Sequence, residues 1–258
     1  YGELDGSFPN HHPDPSKLEN MEDLIKSVKE NDSVVGLAFD GDADRLGVIS
    51  PKGEMIFPDR QMIMFSRQVI QSSPNAKIVF DVKCSKLLSD EIEKLKGKPL
   101  ICKTGHTFIK QKIRETDALL GGEMSGHIFF NDRWPGFDDG IYAGARMLEI
   151  IANSEQDDSF VTVPNMLSTP EINIPAADEE KFQIVKTFIE NSNFNEAKIV
   201  SIDGIRVEFE KGWGLLRPSN TSPCLVLRFE AETNDDLNKI KEIFYLGLKS
   251  IKPNINKF

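Results

Sequence analysis

The sequence has few cysteines, no long apolar run and no excess of positive charge, and each shortage excludes a class of protein. The three cysteines, Cys84, Cys102 and Cys224, form no C-x-x-C pair and stand in or beside apolar segments, so we expect buried, reduced thiols in a cytoplasmic protein. No apolar run approaches the length of a membrane span, and no signal-peptide pattern opens the chain. The net charge of −10 gives no general attraction to nucleic acid or to an anionic membrane.

The remaining composition is that of a globular protein with an ordinary core. Apolar residues make up 39% of the 258 residues and charged residues 28%, and this length suits about two domains. The first residue is Tyr1 rather than Met. We therefore expect the chain to be part of a longer protein.

Helical and strand patterns alternate through the first two thirds of the chain. After a loop over 1–17, the spacing predicts a helix over 19–30 and strands over 34–39, 46–49 and 55–57. Asp59 is placed to cap the next helix. Further strands are predicted over 78–82, 100–102 and 118–120, and further helices over 87–95, 108–113 and 138–151. Such βαβ repetition indicates an α/β domain with a parallel sheet and helices on both faces, preceded by the end of a similar domain.

The last third has a different pattern. A polar linker over 153–165 leads to a strand over 171–174 and a helix over 178–191. Asp203-Gly204 marks a hairpin between strands over 198–202 and 205–209. A strand over 224–230 and a helix over 234–251, capped by Thr233, close the chain. These elements predict a small α+β domain with an antiparallel sheet.

The most informative stretch is VVGLAFDGDADRLGVIS, residues 34–50. Two apolar strands flank a short loop that carries Asp40, Asp42 and Asp44, followed directly by Arg45. Three carboxylates at alternating positions repel one another unless a cation lies between them, and an all-oxygen ligand set favours Mg²⁺. Arg45 suits an anion that shares the metal. The stretch therefore predicts a metal and phosphate site.

Other interpretations of this loop are open or excluded on its residues. A calcium EF-hand requires Gly and Glu where Arg45 and Pro51 stand, so it is excluded. An aspartyl-phosphate phosphatase, with Asp40 as the nucleophile, stays open although Asp44 stands where a hydroxyl residue is expected. A solvated acidic turn is the remaining alternative.

Polar loops at two further predicted strand ends are candidates for substrate contacts, because ligands bind where the strands of a parallel sheet end. These are KTGH, residues 103–106, and GEMSGH, residues 122–127. If the second is extended, Glu123, Ser125 and His127 share one side and can bind a polyhydroxylated ligand. Lys83 and His106 can add positive charge or transfer protons.

The segment RPSNTSP, residues 217–223, has the composition of a phosphate-binding loop. Arg217 offers a guanidinium fork, and Ser219, Asn220 and Thr221 offer neutral donors. Arg228 on the next strand can add a charge, although a surface ion pair explains that residue equally well.

Taken together and in this order, GLAFDGDADR, GEMSGH and RPSNTSP resemble the α-D-phosphohexomutases, and within that family the bacterial phosphomannomutase/phosphoglucomutase branch. FDVKCS, KTGHTFIK and GWGLLRPSNTSPCLVLRFEAET extend the likeness over nearly the whole chain. The resemblance implies that residues 1–54 end a second domain with the metal loop, 55–164 form a sugar-binding third domain and 165–258 a phosphate-binding fourth domain. It also implies a partner in the missing N-terminal domain, whose phosphoserine loop matches nothing here.

The resemblance implies a role for each candidate residue. Asp40, Asp42 and Asp44 would hold Mg²⁺, and Arg45 would contact the phosphoserine phosphate, which supplies a further metal ligand. The family motif has Gly where Ala43 stands, which bears on whether that position has a positive φ. Residues expected to contact the hexose phosphate, with His127 a candidate for proton transfer, are Lys83, Gly105, His106, Glu123, Ser125, His127, Arg217, Ser219, Asn220, Thr221 and Arg228.

The implied reaction interconverts mannose or glucose 1-phosphate with the 6-phosphate. The phosphoserine forms a hexose 1,6-bisphosphate, which turns end for end and returns its other phosphate. Without the phosphoserine domain we expect the chain to be inactive alone and to hold metal weakly, with residues 163–168 as a hinge. The alternatives are a non-catalytic module that binds sugar phosphate and Mg²⁺, or the aspartyl-phosphate phosphatase.

Overall fold

The computed structural model describes residues 5–155, 159–160, 162–194 and 197–258. The chain divides into two compact units, Tyr1–Pro164 and Asn165–Phe258. Each has its own apolar core and is described separately. Residues 1–4 of the predicted opening loop and residues 156–158 and 161 of the predicted linker lie outside the described residues.

Unit 1 begins with a helix packed on a small antiparallel sheet. A 3₁₀ turn, Leu18–Met21, leads into α1, Glu22–Glu30, and the sheet consists of β1, Gly36–Phe39, β2, Leu46–Ile49, and β3, Met55–Ile56. Apolar residues at helical spacing on α1 place Val28 against Ile49 and Met21 in a shared cluster. This packing fixes β1 and β2, the two strands that the acidic loop, residues 40–45, connects.

The rest of unit 1 is a four-stranded sheet with helices. Its elements are α2, Pro58–Ser72; β4, Lys77–Asp81; α3, Lys86–Lys94; β5, Lys98–Cys102; α4, His106–Thr116; β6, Leu120–Gly122; β7, Ile128–Phe130; and α5, Gly140–Ala152. The strand order is β5-β4-β6-β7, with β4 parallel to β5 and β6 and with β7 antiparallel. The sequence pattern did not predict β7. This strand begins directly after GEMSGH, the segment expected to form a loop at a strand end.

The predicted capping role of Asp59 is wrong. The N-cap position of α2 is Phe57, and Pro58 occupies the first helical position, where its missing N–H costs no helical hydrogen bond. Asp59 is buried instead, and its carboxylate accepts a hydrogen bond of 3.0 Å from the backbone N–H of Ser85. Its carboxylate therefore joins α2 to the segment that begins α3.

Unit 2 is an antiparallel sheet with two helices. Its elements are β8, Leu167–Ser168; β9, Ile172–Pro175; α6, Asp178–Asn191; β10, Lys198–Val200; β11, Ile205–Phe209; β12, Gly212–Pro218; β13, Cys224–Ala231; and α7, Asn234–Ile251. The main strand order is β10-β11-β12-β13-β8, and β9 also pairs with β13. The Thr233 hydroxyl caps α7 by accepting from the N–H of Asp236, as predicted.

Strand β12 was not predicted, because two glycines interrupt its pattern. Gly214 lies against the ring of Phe244 on α7, where a Cβ would come within 2.6 Å of ring carbon Cε2. The glycine thus lets the helix pack closely on the middle of the sheet. Phe188, Phe229 and Phe244 form the centre of this core.

The predicted fold class is confirmed: an α/β domain with parallel strands is followed by a small α+β domain with an antiparallel sheet. The three cysteines are free thiols; Cys84 and Cys102 are buried, whereas Cys224 is only half-buried at the start of β13. Among the helices in the described part of the chain, none has both the length and the apolar character needed to cross a bilayer.

Candidate active site

The acidic loop connects β1 to β2 and gathers its three carboxylates. Ligand oxygens of Asp40, Asp42 and Asp44 all lie within 4.8 Å of one another. Between Asp42 and Asp44, Ala43 adopts the left-handed conformation with φ +60, so this position does have the positive φ that favours glycine. Its carbonyl accepts 3.0 Å from the N–H of Gly140, the first residue of α5. This hydrogen bond ties the loop to a helix N-terminus.

The crowded carboxylates have unequal proton affinities. Burial, together with the charges of Asp40, Asp42 and Asp138, raises the pKa of Asp44 to about 6. Asp40 is also buried, but hydrogen bonds and charge from Arg45 outweigh the burial and lower its pKa. Asp44 thus holds its proton more tightly than Asp40, because Arg45 lies 4.0 Å from Asp44 but donates hydrogen bonds to Asp40.

Arg45 is held by two carboxylates rather than exposed. Its Nε donates 2.5 Å to Oδ2 of Asp40, and its backbone N–H donates 3.0 Å to Oδ1 of the same residue. Its Nη1 donates 3.1 Å to Asp14. Asp14 comes from the segment before α1 and was not among the predicted site residues.

The residues of the acidic loop fit a magnesium ion. All their donor atoms are carboxylate oxygens, as Mg²⁺ prefers, and a cation among them would relieve the repulsion that raises the pKa of Asp44. Asp44 also forms a second group within 4.8 Å with His127 and Asp138. That group contains an imidazole, which is a less suitable ligand for a hard cation.

The GEMSGH segment is a tight turn between β6 and β7, so the condition that it be extended is not met. Gly126 has φ +103, and the N–H of Glu123 donates 3.0 Å to the carbonyl of His127. The turn nevertheless brings Glu123 and Ser125 together, because the Ser125 hydroxyl donates 3.2 Å to the carboxylate of Glu123. His127 faces the acidic loop instead, with Nδ1 3.5 Å from Asp44.

Glu123 is a buried carboxylate in a polar pocket. The N–H of Gly105, from the KTGH loop, donates to its Oε1. Burial, with the nearby charge of Asp81, raises the pKa of Glu123 to about 7, while Gly105, Lys83 and Ser125 oppose that rise. The carboxyl group therefore keeps its proton to a higher pH than an exposed glutamate does, and the charge of Lys83 partly offsets this effect.

The two imidazoles of the site share one carboxylate. The ring centroids of His106 and His127 are 5.5 Å apart, and the rings are stacked. Nδ1 of His106 lies 3.1 Å from Asp138, and Nδ1 of His127 lies 3.2 Å from the same oxygen, although without hydrogen-bond alignment. Lys110 donates 2.9 Å to the other oxygen. Burial lowers the pKa of His127, against the raising effect of Asp138.

The acidic loop and the GEMSGH turn are joined through their backbones. Arg45 and His127 form an antiparallel bridge, and the N–H of Leu46 donates 3.1 Å to the carbonyl of Gly126. The acidic loop and the turn that carries Glu123 and Ser125 thus form one connected structure in unit 1.

In unit 2, RPSNTSP begins at the end of β12 and continues as a loop. Arg217 and Ser219 are buried, whereas Asn220 and Thr221 are exposed. The Ser219 hydroxyl accepts 3.1 Å from the N–H of Ser222, which closes the loop.

Arg228 is buried at 4% exposure, so the alternative of a surface ion pair is wrong for this residue. Its guanidinium lies 5.8 Å from the ring of Trp213, whose Nε1 donates 2.5 Å to Glu230. Arg206 stacks on the same indole at 3.9 Å. This face of the sheet is therefore a buried polar network.

Four carboxylate and ammonium groups around the site were missed as site residues. Asp138 and Asp139 were expected to begin a helix. Asp139 does cap α5, whereas the carboxylate of Asp138 lies next to both histidine rings. Asp81 is the last residue of β4. Its position at the end of a predicted parallel strand is where ligand-binding residues are expected, so the sequence pattern could have identified it. No sequence pattern marks Asp14 or Lys110 as a site residue.

Comparison with known families gives three adjoining matches. Residues 2–53 match phosphoglucomutase/phosphomannomutase alpha/beta/alpha domain II, residues 57–162 match alpha/beta/alpha domain III, and residues 171–246 match the C-terminal domain.

Similar proteins carry the same family name. The chain is 50% identical over 258 residues to a phosphomannomutase/phosphoglucomutase of Pseudomonas syringae pv. tomato, covering 99% of this chain and 56% of that protein. It is 49% identical to a phosphoglucomutase of Neisseria gonorrhoeae, covering 96% of this chain and 55% of that one. A crystal structure of a phosphoglucomutase/phosphomannomutase family protein from Burkholderia thailandensis superposes with a TM-score of 0.93 at 46% identity, over 99% of this chain and 55% of the other. The chain thus spans about half the length of these relatives.

Proposed function

Because the chain belongs to the phosphoglucomutase/phosphomannomutase family, we propose that it supplies the metal-binding, sugar-binding and distal phosphate-binding parts of a phosphohexomutase. The substrates in this proposal are mannose or glucose 1-phosphate and the corresponding 6-phosphates, in the cytoplasm. The observation that supports it is the pair of backbone contacts between the acidic loop and the GEMSGH turn, which join three clustered carboxylates to the turn that carries Glu123 and Ser125.

The reaction begins with phosphoryl transfer from a phosphoserine to the hexose phosphate, which gives a 1,6-bisphosphate. After that intermediate reorients, its other phosphate returns to the serine. The donor serine is not assigned to any residue of this chain. The chain alone is therefore expected to bind hexose phosphate without turning it over.

Asp40, Asp42 and Asp44 would hold Mg²⁺, which when bound supplies positive charge to a phosphoryl oxygen. Arg45 donates two hydrogen bonds to Asp40 and is therefore held next to the carboxylates that would bind the metal. Arg45 is thereby positioned to bind the same phosphate.

Glu123 and Ser125 are the candidates for binding two neighbouring hydroxyls of the hexose. The Gly105 N–H fixes one oxygen of Glu123, and the other accepts from Ser125, so the pair has a defined orientation before substrate binds. A hydrogen-bonded carboxylate in a buried site binds hydroxyl donors strongly.

His127 is the candidate for proton transfer at the reacting hydroxyl. Its lowered pKa favours the neutral imidazole at pH 7, the form that accepts a proton. Asp138 stabilises the imidazolium that results, and His106 lies stacked beside it.

Titration calorimetry of the chain with glucose 1-phosphate, glucose 6-phosphate and mannose 6-phosphate tests the proposal, with free glucose as the control. Both phosphate isomers should bind, because either end of the sugar must fit the phosphate loop. Free glucose should bind much more weakly, because it has no phosphate for that loop. Glu123→Gln should weaken hexose phosphate binding while leaving inorganic phosphate binding unchanged. Binding of neither isomer would contradict the proposal.

The phosphatase alternative is tested separately with beryllium fluoride and Mg²⁺. A phosphatase would form an acyl-phosphate analogue on Asp40, visible by ¹⁹F NMR, and would hydrolyse phosphate esters. The mutase proposal expects neither. Both oxygens of Asp40 accept hydrogen bonds from Arg45, which favours a ligand over a nucleophile.

A further inference from the structure

The turn between β10 and β11 lies directly against Arg217. In the antiparallel register Ile205 faces Leu216, so the preceding residue, Gly204, lies across from Arg217. Gly204 has φ +72, and a Cβ there would lie 2.6 Å from the Cα of Arg217. Only glycine allows this approach of one backbone to the other, and the approach brings the side chain of Asp203 to the arginine.

Asp203 holds one edge of the Arg217 guanidinium. Its Oδ2 accepts 2.9 Å from Nε of Arg217, and the two side chains are only 9% and 5% exposed. Nη2, the guanidinium nitrogen next to that hydrogen bond, behaves differently: it is buried and has no hydrogen-bond partner in the described part of the chain. The guanidinium is thus fixed in orientation while the N–H donors of one nitrogen stay unpaired.

A purely structural ion pair does not account for this arrangement. Leaving a buried donor unpaired is destabilising, so such groups are uncommon and tend to mark a functional position. Ser219, two residues further on, is also buried beside the same strand end and shapes the loop. A phosphate oxygen would accept hydrogen bonds from these unpaired N–H donors.

We propose that Asp203 is the positioning residue of the distal phosphate site, holding Arg217 by Nε so that Nη2 faces the phosphate of the hexose. This inference rests on the proposed function and assigns a residue that the loop motif does not contain. Asp203 acts through Arg217 and has no contact with the substrate itself.

The sign of one substitution separates positioning from simple charge. Asp203 carries a negative charge close to a site for a dianion, so by charge alone its removal should strengthen phosphate binding. If it positions Arg217, its removal should weaken binding although the repulsion is gone. A hydrogen bond to a charged group contributes enough that we expect about a tenfold loss or more.

The experiment measures glucose 6-phosphate affinity of the 258-residue chain by calorimetry for the wild type, Asp203→Ala, Arg217→Gln and the double variant. Asp203→Ala removes both the charge and the acceptor of the hydrogen bond, so we expect it to weaken binding by about tenfold and to have no further effect in the Arg217→Gln background. Glu242→Gln, on α7, is the control: it changes the charge equally and breaks an exposed ion pair with Lys257, and it should leave affinity unchanged.

Unchanged or stronger binding by Asp203→Ala, together with weaker binding by Arg217→Gln, overturns the positioning role and leaves the proposed function standing. Absence of binding by the wild type overturns both. If Asp203→Ala unfolds, as judged by circular dichroism, Asp203→Glu decides. It keeps the charge but displaces the anchor by one methylene, and wild-type affinity in that variant overturns the proposal.

Discussion

Replacement of Glu123 by glutamine should stabilise unit 1 at high pH, because the wild-type carboxylate is ionised there in a buried site. The rise of its pKa from 4.5 to about 7 corresponds to roughly 3 kcal/mol of destabilisation of the folded state at a pH well above 7. The folded state binds the proton more tightly than the unfolded state. The penalty is therefore absent below pH 4.5, grows between pH 4.5 and 7, and is complete above pH 7.

Glutamine has nearly the same shape and can accept the hydrogen bond of Gly105, so it removes the charge with little change in packing. The gain in the free energy of unfolding should be larger at pH 8 than at pH 5 by about 2 kcal/mol. Urea unfolding at the two pH values measures this difference. A Trp213→Phe background leaves Trp134, in unit 1, as the fluorescent reporter.

Glu93→Gln, at an exposed position of α3, is the matched control and should show no such difference between the two pH values. A gain for Glu123→Gln that is the same at pH 5 and pH 8 would refute the reasoning, because burial of the charge would then not be its cause. The same variant should bind hexose phosphate more weakly, so stability and function change in opposite directions.

Three further predictions concern the acidic loop and its surroundings. Ala43→Gly should raise the free energy of unfolding by about 1 kcal/mol, because glycine adopts φ +60 without strain; a loss of stability in urea unfolding would contradict this. Calorimetry with MgCl₂ should show weak binding to the chain alone and tighter binding with inorganic phosphate present, since a phosphate oxygen is the proposed further ligand; tight binding of the metal alone would argue against it. Asp138→Asn should lower the pKa of His127 further, because the aspartate raises it; an unchanged NMR titration of that ring in metal-free buffer would show that the carboxylate does not act on it.

The sequence predicted those elements whose pattern is local. Strand β2, helix α6, strand β11 and helix α7 have the predicted bounds, because an apolar pattern marks each of them and the Thr233 hydroxyl also marks the start of α7. The pattern failed where tertiary contacts override it. Gly214 lies in a strand, and the ring of Phe244 fills the space beside it. Asp59 does not cap α2, and its carboxylate accepts a hydrogen bond from the N–H of Ser85 instead.

The candidate site shows the same division. The carboxylates of the acidic loop were recognised because three acidic residues at alternating positions are unusual, and they do lie together. Asp14 and Lys110 reach the site from distant parts of unit 1, and no local signal marks such residues. The roles of the predicted site residues, the three-domain division, the hinge and the cytoplasmic location stay predictions.

The bridge between Arg45 and His127 has a thermodynamic consequence. Because the acidic loop and the GEMSGH turn share hydrogen bonds, a ligand that shifts one of them also shifts the other. If metal and hexose phosphate bind as proposed, their affinities are linked through a single coupling free energy. The factor by which the cation changes the affinity for the sugar phosphate must equal the factor by which the sugar phosphate changes the affinity for the cation.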